Sequence, residues 1–82
     1  MAEMTYSERV ATEVRAEMGR QRKSGSWLAR ALNQSQSAVQ RRLQGEHPFD
    51  LDELSAVAAA LDVPISEFFI ALRDDGALNN RG

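Results

Sequence analysis

The sequence has no cysteine, and only one histidine, one tryptophan, one tyrosine and two prolines in 82 residues. The missing cysteine excludes a disulfide and any metal–thiolate site. His47, the single imidazole, has no second imidazole or thiol with which to hold a metal, so a solvated loop position is expected for it. There is also no Gly-rich phosphate loop and no metal-ligand cluster, which leaves no basis for an enzyme, a metal site or a bound cofactor. No long apolar run is present either, so neither a signal peptide nor a membrane span is expected, and a cytoplasmic protein is the default. A chain of this length forms one domain with a small core, of modest stability unless it dimerises.

The chain does have a strongly uneven distribution of charge. The net charge is only −2 and the isoelectric point about 5.3, which taken alone argues against a nucleic-acid partner. From Arg15 to Gly45, however, seven cations (Arg15, Arg20, Arg22, Lys23, Arg30, Arg41 and Arg42) face one anion, Glu17, for a net of +6. From Glu46 onward eight acids face Arg73 and Arg81, for a net of −6. Such a dipolar chain can bind a polyanion with one half and repel it with the other.

Hydrophobic spacing predicts only helices. Residues 1–5 read as a flexible tail that ends in a capping box, Thr5-x-x-Glu8. A helix over 6–22 follows, with Val10, Val14 and Met18 as its apolar stripe and Gly19 costing it about 1 kcal/mol relative to alanine. Arg20, Arg22 and Lys23 crowd the end of this helix, where cations favour the negative helix pole. The stretch SGSWLARALNQSQSAVQRRLQG, from Ser24 to Gly45, reads as two short helices, 25–32 and 36–44, joined by a tight turn. Ser24 and Ser35 are the N-caps, Leu28 with Leu32 and Val39 with Leu43 face inward, and Asn33 suits the positive φ of the turn. Gly45 is placed to end the second of these helices in the left-handed conformation. This is the pattern of a helix-turn-helix, whose second helix lies in a DNA major groove.

Further on, Glu46-His47-Pro48-Phe49 forms a loop. Asp50 and Glu53 make a second capping box, bracketed by the staple pair Phe49 and Leu54, so these carboxylates have a structural task and do not form a catalytic pair. Leu51, Leu54, Ala58 and Leu61 are expected to form the inward face of a helix over 51–61. Pro64 opens a fifth helix, 65–72, that sends Ile65, Phe68 and Leu72 into the core. Phe69 and Ile70 are left over, either capping the core or forming a dimer interface. Residues 73–82 read as a flexible tail or the start of a linker.

From Leu28-Ala29 through Val39 to Gly45 the chain resembles the DNA-binding domain of the phage repressor/Cro family, the Xre-type helix-turn-helix. Within it, RRLQGEHPFDLDEL is similar to a form common in actinobacteria and their phages. The resemblance covers roughly residues 6–72 and implies a compact, all-α, five-helix repressor-like domain. The chain departs from the family at the turn, with Asn33 in place of glycine and Gln34 in place of an apolar residue, and again at Arg42, where the family is apolar.

In a helix-turn-helix the recognition helix, here 36–44, presents its first turn to base edges. Gln36 can pair bidentately with adenine and Ser37 with several bases; Arg41 can pair with guanine or hold a phosphate, and Gln40 lies beside it. Arg22, Lys23, Ser24, Ser26, Trp27, Arg42 and His47 are the candidate phosphate contacts. For Arg42 a salt bridge is the alternative, and for Trp27 a place at the core edge. The function expected is a sequence-specific regulator of transcription that binds double-stranded DNA. The expected form is a repressor on a palindromic operator, acting as a homodimer through the C-terminal helix. An antitoxin or restriction-modification controller of the same fold, a protein partner for the acidic half, and an interaction module that does not bind DNA remain alternatives.

Overall fold

The computed structural model describes residues 4–70. Four α-helices, α1 (Tyr6–Gln21), α2 (Gly25–Leu32), α3 (Gln36–Leu43) and α4 (Leu51–Leu61), are followed by a 3-10 segment, Ile65–Phe69, and no strand occurs among the described residues. The expected tail at 73–82 and the inward placing of Leu72 lie outside them.

Each helix begins at the residue chosen for its cap. Thr5 and Glu8 exchange both bonds of a capping box, as do Asp50 and Glu53, while Ser24 and Ser35 accept the amides of Trp27 and Ala38. The ends are also chemically distinct. Asn33 closes α2 at φ 57°, and Gly45, just after α3, has φ 83°. Arg22 and Asp62 take the same left-handed conformation without being asparagine or glycine, at φ 59° and 61°.

One core joins the elements. Val10, Ala11, Val14 and Met18 of α1 meet Leu28 and Ala29 of α2, Val39 and Leu43 of α3, Phe49 of the loop, and Phe68. From α4 come Leu54, Val57, Ala58 and Leu61, an i, i+3, i+4, i+7 set. Leu51 is not among them: it is 72% exposed, contrary to the expected inward face. It lies one turn before Leu54, at the first helical position, while Phe49 is buried at that end of α4; Val57 completes the stripe instead. The fifth element also differs from expectation. Over its described part it is a 3-10 segment, opened by a Glu67 amide to Pro64 carbonyl bond of 3.0 Å and lacking a side-chain cap. Phe68 is buried, whereas Ile65, aligned with it at three residues per turn and expected in the core, packs with Phe69 only at the core's edge.

The packing leaves α3 in an unequal position. It rests on α2 and on α1, and α2 in turn packs on α4. Between α3 and α4 themselves there is no close backbone packing among the described residues.

Candidate nucleic-acid interface

The surface of interest is built on α2, α3 and the end of α1. Asn33, in its left-handed conformation, lets the Asn33 amide donate to the Arg30 carbonyl and the Gln34 amide to the Ala29 carbonyl, at 3.2 and 2.9 Å. The chain thereby turns within three residues and α3 starts at once under the Ser35 cap. Val39 and Leu43 point inward, so the opposite face of α3 is forced outward. Gln36, Ser37, Gln40 and Arg41 are all exposed on it, at the i, i+1, i+4, i+5 spacing of a single helix face. The four expected base-reading residues are therefore brought together. Two are primary amides, one is a hydroxyl and one a guanidinium, and the set contains no carboxylate.

The cations around this face fall into two groups. Arg20 is paired with Glu17 at 2.9 Å, and Arg42 with Glu53 at 2.9 Å. Hydrogen bonds from Gln21 and Arg20 hold the Glu17 carboxyl below the ordinary glutamate range. The other five, Arg15, Arg22, Lys23, Arg30 and Arg41, have no carboxylate partner among the described residues. Arg15 reaches from α1 to donate to the Leu43 carbonyl at the end of α3, and to Thr12 Oγ1 at 3.3 Å. Lys23 holds its ammonium 4.9 Å from the centroid of the Trp27 ring. Trp27 is half-buried against the core edge, one of its two expected placements, with this cation over its ring. An open cleft of about 310 Å³ lies between Arg15 and Met18 of α1, Lys23 and Gly25 around the start of α2, Gln40 of α3, and Gln44 just after α3. Ser24, Ser26, Arg22 and Lys23 thus surround the N-terminal pole of α2, whose unpaired amides and positive end favour anions. His47 is exposed in the loop after α3, its amide shared with that of Glu46 on the Arg41 carbonyl.

The chain belongs to the BetR-domain family. The match to the BetR domain, a small family of helix-turn-helix-like DNA-binding domains, extends over residues 2–80. No curated protein and no solved structure matches the chain. A BetR domain is a DNA-binding regulatory unit in character, and the exposed amide and guanidinium face of α3 suits that character. No helix among the described residues is long and apolar enough to cross a membrane.

Sequence reasoning missed two connections. One is the Arg15 bond to the end of α3, for which charge counting gave no signal. The other is the meeting of the two family departures, Gln34 and Arg42, on Glu53. Gln34 Nε2 donates to Glu53 Oε2 at 3.0 Å, and Arg42 Nε lies 3.0 Å from Oε1 and 2.9 Å from Oε2. That two residues replaced their apolar counterparts together, and both with donors, was the available clue. Burial pushes the Glu53 carboxyl up, but the Asp50 amide, Gln34 and Arg42 outweigh it and hold it below the usual range.

Proposed function

We propose that this BetR domain is a sequence-specific regulator of transcription of the phage repressor/Cro (Xre) type, with α2 and α3 as its helix-turn-helix within a five-helix domain. Its form is a cytoplasmic repressor that binds a palindromic operator as a homodimer, without cofactor or catalytic activity. Gln36, Ser37, Gln40 and Arg41 read base edges, while Arg22, Lys23, Ser24, Ser26, Trp27 and His47 hold the phosphate backbone; Arg42 takes its alternative role, the salt bridge to Glu53. The observation that carries this reading is the carboxylate-free face of Gln36, Ser37, Gln40 and Arg41, on the same short helix pair as cations without acidic partners among the described residues. Phe69 and Ile70 supply the dimer contact. Ile70 is 37% exposed and Phe69 half-buried at the core edge, so an apolar edge is available there.

Titration of the chain against duplex DNA over a range of salt concentrations tests the reading. The five cations without a carboxylate partner among the described residues allow a log–log slope of up to about −4.5 per protomer, at about 0.9 per neutralised phosphate. A slope near zero contradicts it. A second reading, a basic protein partner for the acidic half, has its support in the net −6 from Glu46 onward. It predicts binding that survives loss of both Lys23 and Arg41.

A further inference from the structure

Glu53 has more partners than a helix cap requires. Its carboxylate accepts the Asp50 amide at 3.0 Å as the returning half of the α4 capping box. The same two oxygens take Gln34 Nε2, from the turn between α2 and α3, and Arg42 Nε, from the body of α3. Arg42 is further fixed within its own helix, donating through Nη1 to the Ala38 carbonyl at 3.0 Å. The pair is largely shielded, with 14% of the Glu53 and 24% of the Arg42 side chain exposed. Because α3 and α4 have no close backbone packing, these bonds form a direct polar tie between them. Val39 and Leu43 seat α3 on the core, but an apolar seat resists roll about the helix axis only weakly, since hydrophobic contact is non-directional. A charge-assisted, shielded bond at Arg42, one residue from Arg41, is directional.

We propose that Glu53 is a positioning residue for the recognition face: through Arg42 and Gln34 it fixes the roll of α3 on α4, and with it the base preference of Gln36, Ser37, Gln40 and Arg41. This inference rests on the DNA-binding reading above. Gln34 Oε1 is buried with no hydrogen-bond partner among the described residues, so what fixes this amide is its Nε2 donation to Glu53. The balanced charge of Arg42 also makes its role one of orientation more than of counterion release.

Two variants separate positioning from simple stability. Glu53→Gln keeps a side chain competent for the α4 capping box and removes the charge. Arg42→Leu leaves Glu53 and the cap intact and removes the tie from the other side. In the free chain, amide exchange of Val39 to Leu43 should accelerate about tenfold relative to α1 and α4 in both variants, the scale set by one lost charge-assisted bond. In selection from random duplexes, both should lose about fivefold or more of the wild-type preference at one or two base pairs. Uniform acceleration across all helices, or none, overturns the proposal, as does an unchanged preference in folded variants. A wild-type chain that enriches no sequence defeats the DNA reading itself, and the exchange pattern then still decides whether Glu53 holds α3.

Discussion

Arg41 and Lys23 carry the same charge in different settings, and their replacement should separate base reading from backbone contact. Arg41 is exposed on α3 beside Gln36, Ser37 and Gln40, whereas Lys23 lies over Trp27 beside the N-terminal pole of α2. Arg41→Ala should relax preference at one base pair at a cost of about 1–3 kcal/mol. Lys23→Ala should weaken all duplexes alike and reduce the salt slope by about one. Binding isotherms on a preferred and a scrambled duplex distinguish the two, and equal loss on both for Arg41→Ala would make it a phosphate anchor. Two glycines give opposite expectations for stability. An added Cβ at Gly19 meets nothing within 4 Å, so Gly19→Ala should raise the unfolding free energy by about 0.5–1 kcal/mol. At Gly45, with φ 83°, the new Cβ would lie 3.1 Å from Glu8 Cγ, and Gly45→Ala should cost about 1–2 kcal/mol. Denaturant unfolding measures both.

At the level of elements, local chemistry marked where helices start more reliably than which side they bury. Thr5, Ser24, Ser35 and Asp50 all cap as their residue types suggest, because a cap depends only on a hydroxyl or carboxylate and the next three amides. The inward face of α4 depends on what approaches it. Leu51 matched the periodicity but sits in the first turn, where it is exposed, and Val57 took its expected place in the core. Val57→Ala should therefore cost about 2 kcal/mol, and Leu51→Gln no more than about 0.5 kcal/mol, in thermal or denaturant unfolding. Comparable losses would contradict this packing of α4. The candidate recognition face was legible because Val39 and Leu43 fix which side of α3 is buried. The destination of Arg42 was not, because its partner lies 11 residues away on another helix and is reached only in the folded chain.

Across the whole molecule, the basic and acidic halves meet at the Glu53 node, and this gives stability a definite dependence on pH. The folded Glu53 is held below its ordinary value, so its contribution is complete above the unfolded glutamate range. It is lost as pH falls through the lower folded value, when protonation removes the acceptor for Arg42 and Gln34. The thermal midpoint should decline on acidification below about pH 5, and the decline should be shallower in Glu53→Gln. An equal slope in both proteins would place the acid sensitivity elsewhere. The uneven charge also bears on function, since the +6 segment from Arg15 to Gly45 contains both α2 and α3, and the −6 segment contains α4. Orientation on a polyanion then follows from electrostatics before any base is read. Selection from a random duplex library at physiological salt tests the proposed sequence-specific recognition by a two-fold dimer. A two-fold symmetric consensus, with half-sites about one helical turn apart, is the predicted result. Enrichment of no sequence, with binding seen only at low salt, would contradict it.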